Sequence, residues 1–575
     1  MRNHNSKKFH HALAIGALAG GALLAQAAFA QTPAPPNFGP AVTQGRQLQL
    51  SDFTNPTPLI PADIYRNGNN KVDHRDLATF AWLEFISAVA PYAGGVQRGV
   101  PGGPFASSAT PGAGPLVWET YQHRTELFPC NIGIDPATKK PAPVPFPPQP
   151  WGAPPKYAYG NAVAFDTPPT ACTVVSTPGG FNNLDESSEI GQNFLFFPQK
   201  PGNPTPAVDG QVLFEAKVNQ IESNWVRANY QSFNAHQNPF YLMTPITLPT
   251  GTVEVKAAWR PLSSIPSSQW YRYHIAHVLV YSGNANPPTP TSQPYALVAL
   301  HIIHKTPNYP AFIFATFEQV DDFVNQAANN TQTGLYYVPT YTSINYATPS
   351  TTTFPPTGQT VSNPTITFRN GQKFDPSNPM ATPNNTPTQL PMGSVTKLQG
   401  VKLLPNNMVA VPVAPGVPTV SEVRITNELA RQLMTEIPGF GKNFVWQYYQ
   451  LVGVQAVPTN DETSEDFYLA NIVVESSRPG IQLFRGFPSI NSSLLLTNNR
   501  NQVNTLDHAA TPPGMTAGGG CQGCHGVAQT QEGSDFSFLF DGTVGYGFTP
   551  DAVGLPGSPA ALARHLAKRK YLYLK

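Results

Sequence analysis

Proline interrupts this chain so often that long runs of regular structure cannot dominate it. Sixty-three of its 575 residues are proline. Each removes a backbone donor and fixes φ at about −65°, which breaks helices and confines strands to edges, ends and bulges. Many short strands joined by long loops are the architecture this permits. Only 12% of residues are charged, yet 40% are apolar and 11% aromatic. A chain that can bury that much apolar surface need not stay disordered. The expected fold class is therefore a mixed, β-rich α+β body.

The first thirty residues do not belong to that body. Arg2, Lys7 and Lys8 make a basic start, an apolar run extends from Ala12 to about Ala25, and Ala28, Phe29 and Ala30 form a small-residue cleavage pattern. This is the grammar of a signal peptide over residues 1–30, cut near Ala30, and it implies a periplasmic or secreted protein. No later stretch approaches the roughly twenty apolar residues that a membrane helix requires. Removing the leader leaves 31 basic residues against 33 acidic ones, a formal charge of −2. That balance gives no electrostatic reason to expect nucleic acid as a partner.

Residues 31–505 read as one β-rich body with a few helices. Asp73 stands as an N-cap ahead of Asp76 and predicts a helix from His74 to about Val89, apolar on most sides and so buried. Strand patterns occupy 211–218, 252–260, 273–281, 295–304 and 311–320. Residues 340–420, rich in Thr, Pro and Asn, predict long surface loops or an edge insertion. A second helix is expected from Val423 to Met434, opened by Ser421 and closed by Pro438 and Gly439. An apolar stretch at 444–452 follows. No phosphate loop, nucleophile elbow, zinc-protease motif or paired-carboxylate signature rises above chance.

The four cysteines fall into two pairs. Cys130 and Cys172 flank a proline-rich stretch, and in an oxidising compartment a disulfide between them is expected. Closing that loop of 43 residues is worth about 4 kcal/mol in the chain-entropy model. Cys521, Gln522, Gly523, Cys524 and His525 form the C-x-x-C-H signature of c-type haem attachment. Two thiols two residues apart reach both vinyl groups from one short turn, and the adjacent imidazole falls beneath the iron as proximal ligand. Glycines 518–520 allow a close approach to the macrocycle. With so few Cys and His in the chain, a chance match is expected on the order of 10⁻³ times. A zinc site would need a second ligand pair nearby, and none is present. Residues 506–575 are thus expected to be a short, mainly helical or looped segment carrying one covalent haem c.

The sixth iron ligand stays open at this point. His508, Met515 and His565 are candidates by reach and ligand chemistry, as are His301 and His304 from the body; an open position would favour catalysis. His301 and His304 lie three apart on one strand, so they point to opposite faces, one toward core or pocket and the other toward solvent.

Other stretches carry a resemblance. They are 77–85 with Trp82 and Glu84, 117–120 with Trp118 and Glu119, 254–259 ending on Trp259, and 300–306 with His301 and His304. Further along come 315–318 ending on Glu318, 445–449 with Trp446 and Tyr449, and 521–526 followed by 535–539. In this order they resemble a broad group of large exported bacterial proteins known as cytochrome c family proteins, with a single C-terminal haem motif. The resemblance implies a haem protein of the cell envelope and no settled reaction. One departure is Gln319, where the group leads one to expect histidine after Glu318. The leading expectation is electron transfer with a redox partner protein or a small-molecule donor or acceptor. A haem enzyme, peroxidase- or oxygenase-like, with an open distal site made by the body is the alternative. A binding module with a vestigial haem is a third reading. Oligomeric state is not legible.

Overall fold

The body is organised by one antiparallel sheet of seven strands. In chain order they are β1 (Gln122–His123), β2 (Leu213–Val218), β3 (Val253–Pro261), β4 (Ile275–Ser282), β5 (Thr289–His304), β6 (Ile313–Gln319) and β7 (Tyr449–Gln455). The order across the sheet is β1-β2-β3-β5-β6-β7, with β4 paired to β5 alone. The computed structural model describes residues 37–67, 72–95, 97–129, 148–161, 171–176, 180–187, 193–197, 210–234, 247–283, 285, 287–325, 337–339, 342–345, 411–412, 418–419, 422–456, 472–473, 535, 537, 539, 550–551 and 553. These residues make a mixed, β-rich α+β body, as the proline pattern and strand alternation predict. Among them, no helix is long and apolar enough to cross a membrane.

Strand β5 shows how the prolines are accommodated. Residues 289–294 pair only with β4, whereas 299–304 lie between β3 and β6. Pro290 and Pro294 both fall in the half paired on one side, where a missing N–H costs no ladder bond. The alternating pattern then places Val253, Val255, Ala257 and Trp259 of β3 with Ile313, Ala315 and Phe317 of β6 in one core. Ile303 of β5 and Phe314 of β6 face the other way, into a second core.

Helix α1 (His74–Ala88) covers the first face. It begins where the capping signal put it, with Asp73 accepting from the Arg75 N–H at 2.9 Å, and every residue from Asp76 to Ala88 except Leu83 is buried. Phe85 stacks on Phe317 of β6, ring centroids 4.1 Å apart, with Trp82 edge-on to the same ring at 5.0 Å. Helix α3 (Glu422–Thr435) packs against α1 and β7, and residue 421, its expected cap, lies outside the described residues. Asn427 of α3 binds Trp82 Nε1 at 2.9 Å and both the N–H and C=O of Leu451, at 3.1 and 2.8 Å. It thereby satisfies the strand where the β6–β7 register shifts between Leu451 and Gly453.

Helix α2 (Gln220–Asn234), not anticipated from the sequence, follows β2 directly. Asn219 caps it by accepting from the Glu222 N–H at 3.2 Å. The described parts of 340–420 are strands rather than loops: Thr342–Asn345 pairs with Asn193–Phe196, and Val411–Pro412 with Pro418–Thr419. The apolar stretch at 444–452 divides into a 3₁₀ turn, Val445–Tyr448, and the start of β7.

Candidate functional site

Cys521, Cys524 and His525 lie outside the described residues, as do His508, Met515 and His565. The chain becomes describable again ten residues after His525, at Asp535, and it is buried there. Asp535 Oδ2 receives Lys305 Nζ at 2.5 Å and the Leu248 N–H at 2.8 Å. Leu539 enters the second core beside Ile303, Phe314 and Tyr281. Further on, Asp551 Oδ2 accepts from the Ser187 N–H and hydroxyl at 3.1 and 3.0 Å, and the Val553 N–H donates to Tyr281 O at 2.6 Å. The haem motif therefore precedes a stretch that docks on the body through a buried ion pair and an apolar anchor.

Two carboxylic side chains meet beside Asp535. Glu222, from the first turn of α2, and Glu254 of β3 are both buried, brought together by the 2.9 Å bond from the Asn219 N–H to Val253 O and by the pairing of Val218 with Glu254. The Ser537 hydroxyl also bonds Glu254. Among the described residues, no N–H or O–H donor reaches either oxygen of Glu222. Burial, with Glu254 and then Asp535 adding like charge, holds the Glu222 carboxyl far above its ordinary range. Burial likewise pushes Glu254 up to about 8, against the pull of Ser537. No local signal announces this pair, because its members stand thirty-two residues apart and meet only through the fold.

A second buried network lies on the helix-covered side. Glu119 Oε1 is 3.0 Å from His274 Nε2 and accepts from Asn182 Nδ2 at 2.8 Å, while its other oxygen accepts from the Leu116 N–H at 2.6 Å. Lys217 Nζ donates to Glu119 O at 2.8 Å and Asn182 Oδ1 at 2.7 Å, and pairs with Glu215 at 3.2 Å. Burial alone would raise the Glu119 carboxyl; His274, the Leu116 N–H and Lys217 outweigh it and hold the group below its usual range. Burial also depresses the Lys217 ammonium, against the pull of Glu215 and Glu119. Arg98 clamps Glu126 through two bonds of 3.1 and 2.8 Å, and Arg124 pairs with Asp185 at 3.1 Å and with Glu186.

The body histidines separate as their spacing predicts. His304 Nδ1 lies 2.7 Å from Glu84 Oε1, with the ring between Phe38 and Phe80 on the side of α1. His301 points to the opposite face, its Nδ1 2.6 Å from Thr316 Oγ1 and its ring stacked on Phe314. The expectation that one of them meets solvent is corrected: His301 is 2% exposed and His304 0%. Both faces of the sheet are covered at these positions, so neither imidazole reaches water. Gln319 is buried too; its Nε2 donates to Arg272 O at 3.3 Å and its Oε1 accepts from the Asp321 N–H. It closes a turn at the end of β6. Cys172, on the strand Cys172–Ser176, is disulfide-bonded, and Cys130 lies outside the described residues.

The motifs quoted for the resemblance that lie among the described residues meet in this architecture. Trp82, Phe317, Trp446 and Tyr449 surround Phe85, Trp118 lies against Trp259, and Glu84 and Glu119 hold His304 and His274. Apart from His274, sequence reasoning named these residues without their partnerships; it missed His274, Glu222 and Lys217 as site residues. Among the described residues there is no cluster of three or more metal-ligating side chains. No protein-family model, no curated protein and no solved structure matches this chain.

Proposed function

We propose that this chain is an exported monohaem c-type cytochrome of the periplasm or the extracellular space, acting in electron transfer, akin to the large cytochrome c family proteins it resembles. Haem c, when bound, supplies a one-electron iron couple. The chemistry of the donor set fits that group: Cys521 and Cys524 provide the two thioether sulfurs and His525 the proximal imidazole. The observation that carries the reading is this motif together with the buried docking of the chain that follows it. Ten residues separate His525 from Asp535, and a fully extended chain of that length reaches at most about 36 Å. The motif is tethered to the body, which is large enough to bind a redox partner.

Of the two body histidines, His301 lies on the face where Leu539 docks, with Thr316 at its Nδ1. His304 is held by Glu84 on the other face. His508, Met515 and His565 remain the candidates from the segment itself.

The test is the mature protein expressed with a haem c maturation system. Haem should survive on a denaturing gel in the native chain and be lost from a Cys521→Ala/Cys524→Ala variant. A colourless native protein, or haem retained by the variant, overturns the reading. Sharp reduced bands indifferent to carbon monoxide are expected of a carrier. A high-spin ferric spectrum that shifts with cyanide would assign the chain instead to haem enzymes with an open distal site.

A further inference from the structure

We propose that Glu222 and Glu254 form a proton-binding site, one proton shared between two buried carboxyl groups, whose occupancy holds the C-terminal segment against the body. The site does not depend on the identity of the group carried by the haem motif. It follows from which charges meet and which do not.

Three carboxyl groups converge here: Glu222 from α2, Glu254 from β3 and Asp535 from the C-terminal segment. Two cations stand nearby. Lys305 is committed to Asp535 at 2.5 Å. Lys256, one pleat along β3 from Glu254, exerts the weakest of the influences on it and lies 3.9 Å from Glu186. One cation fully engaged by one carboxylate leaves the other two to each other. Two buried carboxylates in contact cannot both be ionised, so one proton is retained between them. Neither oxygen of Glu222 nor Oε1 of Glu254 has a hydrogen-bond partner among the described residues, so no donor is in place to stabilise a second negative charge there. Ser537, bonded to Glu254, ties the docked segment directly to the pair.

The consequence for docking has a definite sign. Burial raises the Glu254 carboxyl to about 8 in the docked state, whereas a solvated glutamate titrates at about 4.3. The docked state therefore holds more protons than the released one across that window. Docking is strongest below the solvated value, weakens as pH rises toward about 8, and is weakest above it. On ionisation the proton leaves to water, and two adjacent anions face Asp535, with Lys305, already paired to Asp535, and Lys256 as the nearby cations.

The experiment is hydrogen exchange by mass spectrometry on the full mature chain, with intrinsic rates corrected, following peptides across 535–553 at about pH 6 and about pH 9. Protection should fall at least about tenfold between the two in the native protein, which asks for only one unit of the shift. The Glu222→Gln/Glu254→Gln variant, neutral at both pH values, should lose that dependence. Infrared difference spectra of the native protein should show the carbonyl stretch of a protonated carboxylic acid at the lower pH and not at the higher. Protection that is equal at both pH values, an undiminished pH dependence in the variant, or no protonated-acid band overturns the proposal. The infrared measurement decides alone if the variant does not fold.

Discussion

The two faces of the central sheet bury charge in different ways. On the face covered by α1 and α3, these buried acids find partners within the body: Glu84 at His304, Glu119 at His274 and Glu215 with Lys217. Aromatic rings fill the space around them. The other face is finished by residues from late in the chain. Glu318 accepts from the Ile472 N–H at 2.8 Å, Lys305 pairs with Asp535, and Leu539 completes the apolar core. Of the described residues beyond 530, Val553 packs against the first core, whereas Asp535 and Leu539 supply a buried ion pair and a core residue to the other face. A scaffold and a docking surface share a single sheet.

That contrast is open to mutation. On the scaffold face, Phe85→Ala removes a ring stacked on Phe317 and edge-on to Trp446, and should cost about 3–5 kcal/mol of global stability, read from the denaturant midpoint. Lys217→Met leaves Glu215 and Glu119 without their buried cation and should cost a similar amount, about 3–5 kcal/mol, in the same cooperative transition. On the docking face, Lys305→Met strands Asp535 and should weaken attachment of the C-terminal segment by about 1–3 kcal/mol. Limited proteolysis should show early cleavage beyond residue 530 while the body's midpoint holds. If the body and the segment lose stability together, the two faces are one cooperative unit and the contrast fails. The smallest expected effect is Asp73→Ala, which removes the cap of α1 and should lower the body's stability by about 1 kcal/mol without touching the segment.

Much of the scaffold is legible in the sequence because its signals are local. Asp73 marks the start of α1 to the residue, and alternation finds five strands of the sheet. Helix α2 escaped notice although Asn219 and Glu222 stand at cap and third-residue spacing, and Ile221, Trp225, Val226, Tyr230 and Phe233 recur at helical intervals among polar residues. The C-x-x-C-H pattern that supports the proposed haem can be read without the fold, because thioether attachment demands contiguous residues. The carboxyl pair is not, since Glu222 and Glu254 belong to different elements and Asp535 lies more than 280 residues beyond them. His301 and His304 were separable by strand geometry alone, yet their burial depended on what covers each face.

Cysteine accounting offers the most direct test of the whole account. The chain has four cysteines, and Cys172 is disulfide-bonded. If Cys521 and Cys524 both carry haem, only Cys130 remains to pair with Cys172. A peptide map of the mature protein under non-reducing conditions should therefore yield one cross-linked peptide pair joining Cys130 to Cys172 and one peptide holding Cys521 and Cys524 with a haem attached. Cys172 joined to Cys521 or Cys524, with no haem-modified peptide, would contradict it.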